Sequence, residues 1–116
     1  MRRTDAPKLA LALPGTHEEP HFEMRSFRVG KKIFATLPPG GSHLHVFVTA
    51  DVVRAAVQSD PLAFAELIWG RQLAGVRVDL ARAERNAVRA LLESAWRRRA
   101  TKALLEAHDA AGRTRD

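Results

Sequence analysis

Alternating apolar and polar residues between positions 27 and 48 restrict the fold of this chain more than any other feature. Side chains of a strand point alternately to its two faces, so a period of two predicts strands with one apolar face. The apolar positions that share this face are Ile33, Ala35, Leu37, Leu44, Val46 and Val48. If Leu37 lies opposite Leu44, the two apolar faces coincide and Phe34 lies across from Phe47. The pattern therefore predicts an antiparallel meander.

Glycine and proline residues set the limits of these strands. Gly30-Lys31 predicts a tight hairpin turn, because glycine readily adopts the positive φ that such turns need. Residues 38–42, which read Pro-Pro-Gly-Gly-Ser, predict a loop. Residues 16–20 are polar and predict a surface loop, whereas residues 62–69 fit a helical turn and a short strand equally well.

The stretch from Trp69 to Leu80 leads into the helical part of the chain. Its alternation of Val76, Val78 and Leu80 with charged residues predicts a strand at the edge of the sheet. A short helix is predicted before Pro14-Gly15, and another between Thr49 as its N-cap and Pro61.

Two helical stretches are predicted after Leu80, and they carry much of the positive charge. The first has an inner side formed by Ala87, Val88, Leu91 and Leu92. The second is predicted to start after Ser94, with a buried side formed by Trp96, Ala100, Ala103, Leu104 and Ala107. Residues 1–116 are expected to form one α+β domain, frayed in its first few residues and from 110 to 116.

Composition narrows the classes of function. The formal charge of +6 and the sequence pI of about 11.0 favour polyanionic partners. The absence of cysteine excludes thiolate metal sites and favours a reducing cytoplasm, and no apolar run is long enough to cross a membrane. We therefore expect a cytoplasmic protein without a membrane partner.

The chain has five histidines, and histidine is a common metal ligand. His43 and His45 lie on one face of a predicted strand, but no nearby acid completes a metal site. His17 and His21 lie near glutamates in the predicted loop at 16–20. Nucleophile elbows, phosphate loops and dinucleotide motifs are absent from the sequence. We expect neither enzymatic activity nor a bound metal or cofactor.

Basic side chains are the strongest functional signal. Seven of them, around the hairpin turn and in the last helical stretches, are predicted to contact phosphates: Arg28, Lys31, Lys32, Arg97, Arg98, Arg99 and Lys102. The alternative is an arginine-rich solvated face held by local ion pairs such as Lys102 with Glu106 or Arg89 with Glu93.

Short motifs along nearly the whole chain resemble the MmcQ/YjbR family. They are Leu13-Pro14-Gly15, the run from Phe27 to Ala35, the run from Leu44 to Val48, the run from Gly75 to Leu80, and Leu91-Leu92-Glu93-Ser94 followed by Ala95-Trp96. The family's glycine-lysine turn falls on Gly30 and Lys31, and its helix-entry serine on Ser94. The resemblance implies an antiparallel sheet covered by helices, an α/β sandwich like that of the bacterial frataxin CyaY, and a role in DNA binding.

Two hypotheses of function follow. The first is a monomeric or weakly dimeric DNA-binding protein that contacts the phosphate backbone with little sequence preference. The second is a module that binds a protein or a small ligand through the sheet face bearing Phe34, Thr36, His45 and Phe47. Iron handling, which the frataxin-like fold suggests, is disfavoured because the first helix offers only Asp5 as an acid.

Overall fold

A computed structural model describes residues 1–113 as a six-stranded antiparallel sheet with four helices. The elements in chain order are α1 (Asp5–Leu11), β1 (Thr16–His21), β2 (Met24–Val29), β3 (Lys32–Leu37), β4 (His43–Val46), α2 (Ala50–Ser59), β5 (Phe64–Trp69), β6 (Gln72–Asp79), α3 (Arg85–Arg99) and α4 (Lys102–Arg113). The strands lie side by side in the order β1-β2-β3-β4-β6-β5. The predicted α+β class, with a sheet covered by helices, is confirmed. The likeness to bacterial frataxin remains a prediction.

The meander forms in the predicted register. Ala35 lies opposite Val46 and Thr36 opposite His45, and the backbone N–H of Phe47 donates to the carbonyl oxygen of Phe34 at 3.1 Å. The predicted hairpin turn is also present, since Val29 pairs with Lys32 and Gly30 has a φ of 62°.

A β-bulge changes the face to which one predicted apolar residue points. Phe27 pairs with Ala35 but Arg28 pairs with Ile33, so Phe34 has no partner in β2. Such an extra residue reverses the alternation on one side of the bulge. Phe34 and Ala35 are both fully buried, whereas Ile33 is half-buried beside Thr36 on the other face. The prediction that Ile33 shares a face with Ala35 and Leu37 is therefore wrong.

The edges of the sheet differ from those predicted. Residues 16–20 belong to β1, which pairs with β2 from Thr16 to His21 and forms one edge, so the predicted loop is wrong. Its polar composition suits an exposed edge strand. At the other side, β6 lies inside the sheet between β4 and β5, and the unassigned residues 64–69 form the edge strand β5. The prediction of an edge at Trp69 to Leu80 holds only for its first residue.

Three helices cover one face of the sheet and leave the other open. α3 packs on β3 and β4, α2 on β5 and β6, and α1 on α3 and the first two strands. The residues with no exposed surface in this core include Phe27, Phe34, Leu44, Val76, Val78, Leu92 and Trp96. The indole N–H of Trp96 donates to the carbonyl oxygen of Pro14 at 3.0 Å, which ties α3 to the end of α1.

The helix boundaries correct two further predictions. α3 runs through Ser94 to Arg99 and ends at Ala100, where ψ is 149°, so Trp96 belongs to α3 and not to a separate helix. In α4, Ala103 and Ala107 are exposed, whereas Leu104, Leu105 and the ring of His108 pack against the core. Of the predicted frayed segment, residues 110–113 continue α4, and residues 114–116 lie outside the described part.

α2 begins after Thr49 as predicted, but the Thr49 hydroxyl donates to the Asp51 carboxylate at 2.6 Å and does not cap the backbone. Gly75 lies so close to β4 that an added Cβ would stand 2.1 Å from the carbonyl oxygen of Val46. None of the helices described in residues 1–113 combines the length and apolar character needed to cross a bilayer.

Candidate nucleic-acid interface

Four parts of the chain meet at one end of the sheet. The turn at Gly30-Lys31 joins β2 to β3, and the turn at Gly70-Arg71 joins β5 to β6. β4 ends at the same place, because Val46 pairs with Ala35 on one side and with Val76 on the other. The last turn of α3 reaches this end through Arg98, whose guanidinium donates to the carbonyl oxygen of Phe47 at 2.8 Å.

An open groove of about 580 Å³ lies on the uncovered face next to this end. It is lined by His21, Met24, Lys31, Lys32, Ile33, Thr36, Phe47, Trp69, Ala74, Arg98 and Arg99. We call it the basic groove, because four of these side chains are cationic and none of the described residues that line it is an acid. Its floor is largely apolar.

The groove unites the two basic regions that the sequence separates. Lys31 and Lys32 come from the hairpin turn, and Arg98 and Arg99 come from the end of α3. All four are exposed, and within residues 1–113 none of them lies within 4.0 Å of a carboxylate oxygen. Like charges held together without a counter-charge produce a positive potential that attracts anions.

The other three predicted phosphate ligands lie outside the groove and have acidic neighbours. Arg28 is mostly buried, with Nε donating to Ser26 Oγ at 3.1 Å and lying 3.7 Å from Glu19 Oε2. Lys102, almost fully exposed, lies 3.9 Å from Glu106, which is one of the local pairs predicted from sequence.

Arg97 is the most strongly paired of the three. Its guanidinium donates to Asp109 Oδ1 at 2.6 Å and also lies 3.9 Å from Glu93. The hydrogen bond with Asp109 raises the pKa of Arg97. Glu93, predicted as a partner of Arg89, also contacts His108 at 2.8 Å. The consecutive arginines 97, 98 and 99 therefore divide between two sides of α3.

A further ion pair holds the β1 edge of the sheet. Arg25 donates from two nitrogens to the two carboxylate oxygens of Glu18, at 2.6 and 2.8 Å. This hydrogen-bonded contact lowers the pKa of Glu18 and raises the pKa of Arg25. Cross-strand pairing of β1 with β2 brings the two residues together, and it is not visible from a sequence interpreted as a loop.

An aromatic pair in the groove was not predicted. The rings of Phe47 and Trp69 are 5.1 Å apart at an angle of 59°, and Trp69 is 52% exposed. Trp69 is the last residue of β5, immediately before the Gly70 turn, and a tryptophan before a glycine-arginine turn is the sequence signal that was available. An exposed tryptophan beside cations is a surface suited to flat, anionic ligands.

The sheet face proposed from sequence as a binding surface is corrected in one residue. Thr36 and Phe47 line the groove, but Phe34 lies in the helix-covered core as a result of the bulge. His45 lies opposite Thr36, and burial lowers the pKa of its imidazole, with a smaller contribution from Arg77 and His43. The hydroxyl of Thr36 and Nδ1 of His45 are buried without a hydrogen-bond partner in the described residues.

The histidines do not assemble a metal site in the part of the chain that the structure describes. His43 Nδ1 lies 3.0 Å from Ser42 Oγ, and His17 Nε2 lies 2.7 Å from Glu19 Oε2. Among residues 1–113, no three histidine, aspartate or glutamate side chains converge as metal ligands would.

Fold and groove together define a small α+β domain in which helices cover one face of an antiparallel sheet and the open face carries a cationic groove. The chain belongs to the YjbR family, whose model matches residues 11–98, and the resemblance seen in the sequence is thereby confirmed. The matched segment contains every described residue that lines the groove except Arg99, and it ends before α4. No curated protein and no solved structure matches the chain significantly.

Proposed function

We propose that this protein is a non-enzymatic DNA-binding protein that holds the phosphate backbone at the basic groove. One observation carries the proposal: Lys31 and Lys32 meet Arg98 and Arg99 in a single groove, and no residue between 1 and 113 that lines it is an acid. A cytoplasmic location is part of the proposal, because a protein that binds DNA must share a compartment with it.

The geometry supports four phosphate ligands in place of the seven predicted from sequence. Exposed lysine and arginine side chains without a carboxylate neighbour can contact phosphates without first breaking an ion pair. Arg28, Arg97 and Lys102 would have to leave Glu19, Asp109 and Glu106, respectively. We therefore assign the binding contribution mainly to the groove.

Counterion release gives the proposal a quantitative form. Each phosphate neutralised on a duplex contributes about −0.9 to the slope of log affinity against log salt concentration, so four contacts predict a slope of roughly −3 to −4. Since contacts to the phosphate backbone carry no direct sequence information, we expect little preference among base sequences.

Fluorescence anisotropy of a short labelled duplex, titrated at several salt concentrations, tests the proposal. The double variants Lys31→Ala/Lys32→Ala and Arg98→Ala/Arg99→Ala are each expected to reduce the magnitude of the salt slope by about two. The control, Arg54→Ala/Arg89→Ala, removes two exposed arginines from helices outside the groove lining and leaves the net charge equal to that of the test variants.

The control decides between a local site and general basicity. Equal losses in all three double variants would mean that net charge alone attracts DNA, and the groove assignment would be wrong. Absence of binding by the wild type at low salt, to the duplex and to a single strand of the same length, would contradict the whole proposal.

The second candidate, a module for a small ligand, is favoured by the apolar floor of the same groove. Ile33 and Phe47 are half-buried there and Trp69 is exposed, in a volume typical of small-ligand sites. A neutral ligand of this kind would bind with little dependence on salt, whereas DNA binding weakens steeply as salt rises.

A further inference from the structure

We infer that the basic groove takes unpaired bases of single-stranded DNA, which stack on Trp69 and Phe47 while their phosphates contact the four cations of the groove. This inference rests on the proposed DNA binding and adds the form of DNA that the site accepts. It is carried by the aromatic pair, which phosphate binding alone does not require.

The exposed position of the aromatic pair leaves a ring face free to stack with a base. Trp69 is the end of an edge strand and more than half of its surface is exposed, although a tryptophan gains more from burial than most residues. The Phe47 ring lies 5.1 Å away, and Arg98 donates to the backbone carbonyl of the same Phe47. A base stacked on Trp69 would thus have cations within reach of its phosphate.

Base faces are accessible only when the strand is unpaired. In a duplex each face is covered by the next base pair, and the phosphates lie on the outside. A ring that stacks on Trp69 must therefore come from a single strand or from a flipped nucleotide. The groove volume of about 580 Å³ suits one or two nucleotides and is too small to enclose a duplex.

The floor of the groove favours stacking over recognition of base edges. The hydroxyl of Thr36 has no hydrogen-bond partner among residues 1–113, but the side chain is only 2% exposed and the hydroxyl is buried below the groove surface. Nδ1 of His45, in the residue opposite, is buried in the same way. Because stacking on an aromatic ring does not distinguish one base from another, binding is expected to tolerate any base sequence.

Tryptophan fluorescence measures the stacking of a base on Trp69 directly, because the chain has two tryptophans in opposite environments. Trp96 has no exposed surface, so a change of emission on binding reports on Trp69. Titration with a ten-nucleotide oligo-dT at low salt is expected to quench the emission, and a duplex of the same length is expected to quench it less and to bind more weakly.

Three variants isolate the role of the ring. Trp69→Ala is expected to weaken oligo-dT binding at least about fivefold, the lower end of the measured effect of one stacked base. Trp69→Phe keeps a stacking ring and should bind within about twofold of wild type, without the quenching signal, so its affinity is read by anisotropy of labelled oligo-dT. The control Ile68→Ala removes an apolar neighbour that is 49% exposed on the opposite face, and it should change nothing.

The outcomes separate this inference from the proposed function. If Trp69→Ala binds oligo-dT as tightly as wild type while the groove-cation variants lose affinity, DNA binding stands and base stacking is wrong. Equal affinity for duplex and oligo-dT would likewise overturn the inference. If neither form of DNA binds, both proposals fail, and tighter binding of oligo-U than of oligo-dT would assign the groove to RNA.

Discussion

The basic groove and the outer rim of this molecule carry the same types of basic residue in different surroundings. The outer rim is formed by the ion-paired residues Arg25 and Arg97. In the groove, Lys31, Lys32, Arg98 and Arg99 lie together, and within the described residues no carboxylate is in ion-pair range of any of them. On the rim, Arg25 is held by Glu18 and Arg97 by Asp109, each at 2.6 Å. Adjacent residues such as Arg97 and Arg98 fall into different classes.

The difference shows that position, more than the number of charges, decides which basic residues are available to a ligand. The net charge of +6 counts every residue equally. An ion-paired arginine adds little to the attraction of an anion, because its field is largely cancelled by its partner at short distance. Four experiments, each altering one side of this contrast, follow in order of expected effect.

Gly75→Ala is expected to have the largest effect, because the groove depends on the close approach of β6 to β4. An added Cβ would stand 2.1 Å from the backbone oxygen of Val46 and 3.0 Å from Cα of Phe47, so the strands must separate. We expect a loss of about 3 kcal/mol or more in the free energy of unfolding, measured by urea denaturation. Gly112→Ala is the control, since nothing lies within 4 Å of its added Cβ and alanine favours the helix.

An equal stability of Gly75→Ala and wild type would mean that the two strands can separate without cost. The groove would then not be a rigid feature of the fold, and its role as a preformed site would be contradicted.

Charge reversal is expected to give the largest difference in DNA affinity between variants of the groove and variants of the rim. Lys31→Glu/Arg99→Glu reduces the charge of the groove side chains from four cations to a balance of two cations and two anions. We expect DNA affinity at low salt to fall about 100-fold or more. The same reversal at Arg25 and Arg97, two ion-paired residues outside the groove, should lower affinity less than about tenfold. Losses of the same size in both variants would remove the distinction between the two regions.

Removing an acid should convert a rim residue into a groove-like one. Glu18→Gln deletes the carboxylate that holds Arg25, which then becomes an additional unpaired cation. We expect DNA affinity at low salt to rise about twofold, in keeping with the small energies of surface ion pairs. Glu66→Gln, an exposed acid on the far edge strand β5, makes the same change of net charge and serves as the control. A gain equal in both variants would again point to net charge alone.

The smallest expected effect is the pH dependence of stability that half-buried His45 causes. Burial lowers the pKa of His45 below its ordinary value of 6.5, so the folded protein binds this proton less readily than the unfolded chain. The contribution of neutral His45 to the free energy of unfolding is therefore complete above pH 6.5. It is lost as pH falls from 6.5 through the lowered pKa of the folded state. His45→Gln should flatten the decline of stability over this acidic range, measured by urea denaturation at a series of pH values. Parallel profiles of stability against pH for wild type and His45→Gln would contradict this role of His45.

Local patterns predicted those parts of the fold that depend on neighbouring residues. The hairpin at Gly30, the register of β3 with β4 and the end of α2 before Pro61 all follow from turn chemistry and alternation, and the structure has each of them. β1 was missed because an edge strand needs no apolar face, so its residues resemble a loop. The bulge at Phe34 was missed because Ile33, Ala35 and Leu37 are all apolar, so the sequence alternates regularly where the faces of the strand do not.

The groove was only half predictable for a related reason. The sequence identifies Lys31, Lys32, Arg98 and Arg99 as basic, but only the packing of α3 against β3 and β4 brings residues so far apart into one groove. The neutralisation of Arg25 and Arg97 depends on cross-strand and helix–helix contacts, which a linear pattern does not contain. Trp69 was unassigned because the strand that ends with it has too short a pattern to distinguish from a helical turn.

The polar edge strand β1 has a consequence for how copies of this protein can associate. An open sheet grows into a fibre only if both of its edges accept a further strand. On β1, Pro20 has no N–H to offer, and Glu18 and Glu19 of a second copy would meet the same charges if two β1 edges came together. Pairing through the other edge, β5, would leave two β1 edges outermost. Head-to-tail pairing of β5 with the β1 edge of another copy would lack the hydrogen bond that Pro20 cannot donate, so the β1 edge disfavours growth of the sheet into a fibre.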